Sequence, residues 1–169
     1  MLQKHIISSL YDYVTGVETG LDSNSRKNRG GHQMEKLVEG FLKKSGANYY
    51  SQIYIQDIED KWNMDLSPIS SGGTSTKKFD FAVKTEKYVY AIETNFYTSG
   101  GSKLNETARS YKLLAEKAQD ITGFKFLWIT DGKGWTSAKH NLEEAFNAIE
   151  HIYNISDLEN GIFASLFSI

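Results

Sequence analysis

The chain has 169 residues, of which 40% are hydrophobic and 13% aromatic, which suits a folded domain with one continuous core and excludes a disordered segment. It contains no cysteine, which excludes a disulfide framework, a thiolate metal site and a cysteine nucleophile, and fits a reducing interior. A net charge of −2 gives no global attraction to nucleic acid, so any such partner needs a local basic surface.

The N-terminal MLQKHIISSLYDYV is too polar for a signal peptide, and no stretch approaches the roughly 20 apolar residues of a membrane span. A cytoplasmic protein without a membrane partner is therefore expected. Residues 1–14 read as a short amphipathic helix and residues 16–31 as a Gly-, Ser- and Asn-rich loop. A second helix is predicted over residues 32–44, with Met34, Leu37, Val38, Phe41 and Leu42 on one face. SQIYIQDI (51–58) alternates as a strand, and residues 59–76, with the single proline Pro68, form a connection. A hairpin follows over residues 78–96. Ser102 or Asn105 caps a helix running to about Gln119, and FKFLWIT (124–130) is an apolar run expected for a strand covered on both faces. A further helix spans about residues 138–153, burying Leu142, Ala145, Phe146, Ile149 and Tyr153, and Ser156 with Glu159 forms a capping box for a last short turn. The order α-β-ββ-α-β-α describes a mixed sheet flanked by helices, an α/β fold with a crossover helix between residues 96 and 124. No glycine-rich phosphate fingerprint follows any strand, which excludes a Rossmann fold.

The hairpin carries the chemistry. A two-residue turn at Thr85-Glu86 places Phe79 opposite Ile92, Phe81 opposite Tyr90 and Val83 opposite Tyr88, so one face is apolar on both strands. A loop longer by an even number of residues keeps the same facing sets. The other face carries Lys78, Asp80, Ala82 and Lys84 beside Val89, Ala91, Glu93 and Asn95. In that register Asp80 is opposite Ala91 and diagonal to Glu93, and Lys78 is opposite Glu93. Two carboxylates in an otherwise apolar hairpin, with small residues at 82 and 91, leave room for a shared divalent cation and a phosphate. Oxygen ligands of this kind suit Mg²⁺. The plainer alternative is a Glu93–Lys78 ion pair on a solvated face.

Asp80 in an apolar strand, followed across a hairpin by Glu93-Thr94-Asn95, resembles the PD-(D/E)XK nuclease signature, with Asn95 where lysine is commonest. RGGHQMEKLVE (29–39), ETNFYTSGGSKLNETARSYK (93–112) and FLWITDGKGW (126–135) resemble type II restriction endonucleases of the DpnII/MboI group over about residues 25–165. The resemblance implies one nuclease domain over residues 1–169, with 1–25 a peripheral helix and loop, and Mg²⁺-dependent cleavage of double-stranded DNA at GATC, usually by a homodimer. It implies metal ligands at Asp80 and Glu93, with Asn95 and Glu35 as further catalytic residues, Glu35 projecting from the 32–44 helix. An exposed helix acid is the alternative for Glu35. Members of the group are commonly longer, with an additional N-terminal region. That and Asn95 leave a catalytically silent or truncated DNA-binding module as the alternative function, and a nuclease of the same fold acting on damaged or branched DNA as another.

Basic residues cluster at Arg26, Lys27 and Arg29, at Lys77 and Lys78, and at Lys103, Arg109 and Lys112. Of these, Lys77, Lys78, Lys103 and Arg109 are the candidate DNA contacts, with solvated charge as their alternative. Residues 99–103 precede a helix N-terminus and suit a phosphate or an ordinary connection equally. Base readers are sought in the loop 61–78, His32 suits a cap or DNA contact, and Trp135 is expected in the core.

Overall fold

The computed structural model describes residues 23–72 and 75–168. The helix expected over residues 1–14 lies outside them, as does the first part of the 16–31 loop. The rest of that loop is helical: α1 covers Ser23–Ser45 and is followed by β1, Tyr49–Tyr54. Met34, Val38 and Leu42 are fully buried along α1, and this packing carries the helix through Gly30-Gly31 against their poor intrinsic propensity. The predicted 51–58 strand stops at Tyr54. Ile55 and Ile58 instead bury side by side at helical spacing in α2, Ile55–Trp62, whose start is marked by the Asp57 carboxylate accepting the Tyr54 N–H at 3.4 Å.

The predicted hairpin forms from β2, Lys78–Lys84, and β3, Val89–Phe96. Its loop is two residues longer than expected, because the Thr85 N–H bonds the Tyr88 carbonyl at 2.8 Å and the Thr85 hydroxyl accepts the Tyr88 N–H at 3.0 Å. Phe81 therefore pairs with Ile92 and Val83 with Tyr90. A shift of two leaves the apolar sets facing each other, since strand side chains repeat every two residues.

The crossover helix α3, Ser102–Ala118, leads to β4, Phe124–Asp131. Gly101 precedes α3 without a side-chain cap, so neither Ser102 nor Asn105 plays that part. The long helix expected over 138–153 divides into a 3₁₀ turn, Lys133–Ala138, the helix α4, Lys139–Ala148, and a short strand β5, His151–Tyr153. Ile149 turns extended there to reach the sheet, and Phe146, expected inside, is 49% exposed. Asn154 and Asp157, rather than Ser156 and Glu159, form the capping box of α5, Ile155–Glu159, and a further helix α6 spans Ile162–Phe167.

The sheet runs β1-β2-β3-β4-β5, antiparallel across the first two pairings and parallel across the last two. This is the mixed sheet flanked by helices that the element order implied. On one face Phe79, Val89, Ala91, Phe126 and Trp128 join Leu104 and Ala108 of α3 and Leu142 and Ala145 of α4. On the other, Phe81, Val83, Ile92, Leu127 and Ile129 join Met34, Val38 and Leu42 of α1 with Ile155 and Phe163. β4 is buried along almost its whole length because both layers cover it, as its unbroken apolar run predicts. Among the described residues no helix is long and apolar enough to cross a membrane.

Candidate active site where two strands part

The β2–β3 ladder ends at the Phe81–Ile92 pair. Beyond it β2 stays with β1 as far as Tyr54–Lys78, while β3 stays with β4 as far as Phe96–Asp131. The central sheet therefore opens at Asp80 and Glu93. Thr94 donates its N–H to the Asp80 carboxylate at 2.8 Å, and its hydroxyl bonds the same oxygen at 2.9 Å.

Strand alternation also breaks here. Phe79 lies against Phe124 and Phe126 on the α3 side, whereas Phe81 meets Tyr49 and belongs to the α1 side. Two residues apart, they should share a face. Gln52 stands beside Asp80, between the Ser51–Phe81 and Ile53–Phe79 pairs, with a left-handed backbone at φ 53°. Its side-chain nitrogen donates to Glu35 Oε2 at 3.2 Å, and the amide helps hold the Asp80 carboxyl down against burial. The two acids consequently do not sit side by side on one flat face, as the sequence suggested. Glu93 keeps the face of Ala91 and α3, while Asp80 reaches across the gap towards Thr94 and the α1 side.

Glu93 is 7% exposed and both its oxygens are engaged. Lys77 Nζ lies 2.6 Å from Oε1, and the Tyr111 hydroxyl donates to Oε2 at 3.0 Å. The Glu93 partner is thus Lys77 and not Lys78. Lys77 is held over the rings of Phe79 and Tyr111 at 4.9 and 5.6 Å, so this expected DNA contact points inward. Burial raises the Glu93 carboxyl above its ordinary value, the Lys77 charge opposes that, and Asp80 adds to it. Asp80 is raised by burial against the pull of Thr94, Lys77 and Gln52. Glu35 is raised by burial and then by Asp80. Asp80 therefore acts on both glutamates. Burial also raises Tyr111 far above the usual phenol range, with Glu93 reinforcing it, so it stays a proton donor.

Asn95 Oδ1 accepts the Trp128 indole N–H at 2.8 Å, which fixes the amide and leaves its NH₂ as donor. Lys78 is exposed with Nζ 5.9 Å from the Tyr54 ring, and Lys103 and Arg109 are exposed on α3. Lys112 pairs with Glu144 at 3.6 Å, and His32 is exposed. Trp135 is in the core as expected, donating to Thr130 Oγ1 at 2.9 Å. The loop after β3 is clasped by the turn after β4. A Cβ at Gly132 would collide with the Tyr97 carbonyl, and one at Gly134 would come within 2.6 Å of the Ser99 oxygen.

Hard oxygen donors, with three neighbouring carboxylates and Lys77 the one cation bonded to them among the described residues, fit a divalent cation. Among the described residues no three His, Asp or Glu side chains form a ready-made cage. One or two carboxylates completed by substrate phosphate and water is the arrangement Mg²⁺ favours. Sequence reasoning missed Gln52, Thr94 and Tyr111. Tyr111 had one legible signal, a hydroxyl on the otherwise apolar face of α3.

A mixed sheet between helical layers, with an acid pair where its central strands part, is the architecture of restriction-endonuclease-like proteins. The DpnII restriction endonuclease family model matches residues 1–165, and the chain belongs to that family. It is 49% identical over 170 residues to the type II restriction enzyme DpnII of Streptococcus pneumoniae, covering 98% of this chain and 59% of that protein. It is 44% identical over 156 residues to the type II restriction enzyme MboI of Moraxella bovis, covering 92% and 53%. With the type II restriction enzyme MjaIII of Methanocaldococcus jannaschii the identity is 39% over 176 residues, covering 99% and 59%. The chain thus spans little more than half the length of these relatives.

Proposed function

We propose that this chain carries a Mg²⁺-dependent nuclease domain that hydrolyses phosphodiester bonds of double-stranded DNA at GATC, as a homodimer acting in the cytoplasm. The observation that carries the reading is the convergence of Asp80, Glu93 and Lys77 where β2 and β3 part. Membership of a restriction-endonuclease family supports the substrate class, and the resemblance to the DpnII/MboI group supports the site and the dimer.

Asp80 and Glu93 would hold the cation, with Glu35 within electrostatic reach of Asp80. Bound there, it would polarise a phosphoryl oxygen and acidify a water. The chain's own groups do the rest. Lys77 places a positive charge beside Glu93, where a phosphate's developing negative charge is stabilised. Asn95, locked by Trp128, offers an N–H to orient a water or a phosphate oxygen. Tyr111 keeps Glu93 in its rotamer. Lys78, Lys103 and Arg109, exposed in the described structure, are the groups available to backbone phosphates.

A plasmid with several GATC sites, digested with and without Mg²⁺ beside Asp80→Ala and Glu93→Ala, tests the proposal, and sequencing the ends reads the site. Specific duplex binding by folded wild-type protein without hydrolysis would select the silent binding module that Asn95, in the usual place of lysine, leaves as the alternative.

A further inference from the structure

Four described residues other than glycine have positive φ: Gln52, Asn63, Ser71 and Ser168. Asn63 and Ser168 close helices and Ser71 lies in a turn, whereas Gln52 lies inside β1. A left-handed glutamine within a strand is strained, and such strain persists only where surrounding structure holds it. Here it also flips the strand. Tyr49 packs with the α1-side core, yet Ile53, four residues on, enters the α3-side core. The turn of the chain at residue 52 brings the amide to Glu35, with Nε2 at 3.2 Å from Oε2, from the β1 position beside Asp80 between the Ser51–Phe81 and Ile53–Phe79 pairs.

We propose that Gln52 is a positioning residue of the nuclease site, its amide holding Glu35 beside Asp80 so that both face the same divalent cation. The inference rests on the nuclease reading above. Glu35 and Asp80 come from different elements and repel each other. An uncharged donor that bonds Glu35 from the strand position beside Asp80 holds the two acids near each other without neutralising either. A lysine there would compete with the cation, whereas an amide leaves the negative charge intact for it. Glycine would adopt the same backbone without strain but could not hold Glu35. The side chain therefore costs stability and serves the site, so its loss has effects of opposite sign on the two.

The test is Gln52→Gly, alone and combined with Glu35→Ala. Thermal midpoints are measured in EDTA, Mn²⁺ binding by the paramagnetic signal of the free ion, and cleavage across a Mg²⁺ series. Gln52→Gly is expected to unfold at the wild-type temperature or above, to bind Mn²⁺ about 10- to 100-fold more weakly, and to recover cleavage at high Mg²⁺. In the Glu35→Ala background the same change should have little further effect on Mn²⁺ affinity. Wild-type affinity in Gln52→Gly overturns the role, as does weakened binding accompanied by a lowered midpoint in EDTA, or full additivity with Glu35→Ala. If the wild type cleaves and Gln52→Gly is indifferent, only this inference falls. If the wild type neither binds Mn²⁺ nor cleaves, the nuclease reading falls with it.

Discussion

Two buried carboxylates stand on neighbouring parallel strands, Glu93 on β3 and Asp131 at the end of β4, 7% and 2% exposed. Burial raises both above the usual carboxylate range. Their partners differ in kind. Asp131 accepts the backbone N–H groups of Gly132 at 2.6 Å and Ile155 at 3.1 Å, pinning the end of β4 to the start of α5. Among the described residues Glu93 is held by the side chains of Lys77 and Tyr111. Backbone donors are fixed by the fold, so Asp131 is a structural pin. Side-chain donors can move aside for a cation or a phosphate, so Glu93 is placed to exchange partners. Burial alone does not separate a structural acid from a functional one; the mobility of what satisfies it does.

The sharpest way to break this contrast is to remove the acids themselves. Glu93→Ala and Asp80→Ala are each expected to lower the plasmid cleavage rate by about 10³-fold or more while leaving the far-ultraviolet dichroism native, since several kcal/mol of charge stabilisation goes with the cation. Cleavage within tenfold of wild type would remove Glu93 from the functional side. Lys77→Ala should follow at about 10²-fold in kcat, the scale of one lost charge-stabilising donor. Adding Asn95→Lys to that variant is expected to restore part of the rate by returning a cation to the site, and no recovery would count against a charge role for Lys77. Asp131→Ala should reverse the pattern. Two buried N–H groups lose their acceptor, costing about 2–3 kcal/mol in urea unfolding, while cleavage well below the midpoint stays within about threefold.

The smallest effect concerns pH. Burial raises Asp80 and Glu93 above their unfolded values, so the native state takes up protons first as pH falls. Their contribution to stability is full below the unfolded carboxylate range, at about pH 4, and is lost as pH rises through the folded values. Asp80→Asn is therefore expected to melt above wild type at pH 8 in EDTA, with the advantage vanishing near pH 4. Equal melting curves at pH 8 would mean that Asp80 is not strained by its surroundings.

Much of the site was legible in the residues because the hairpin's period of two survives an error in its loop. Two extra turn residues moved every pairing, yet Phe81 and Val83 still face Tyr90 and Ile92, and Ala82 still faces Ala91. That tolerance ended at Asp80, where the strands part and the Gln52 backbone reverses the alternation. No local propensity marks such a break, since it depends on β1 lying beside β2. The place of Lys77 beside Glu93 was not legible for a related reason. Adjacent lysines differ only in which one the end of β2 turns inward, and the rings of Phe79 and Tyr111 decide that from two separate elements.

By itself the sequence determined the mixed sheet with its crossover helix, the buried β4 run and the candidate acids Asp80 and Glu93, because these follow from short-range periodicity and from the unusual placement of charge among apolar residues; Glu35 came from the resemblance to the DpnII/MboI group. Tertiary structure alone decided that α1 already includes residues 23–31, that SQIYIQDI breaks after Tyr54, and that Lys77, Tyr111, Thr94 and Gln52 surround the acids. Those partners come from two strands, a helix and the residue before β2, spread between residues 52 and 111, and only packing at the parted end of the sheet brings them within hydrogen-bond reach.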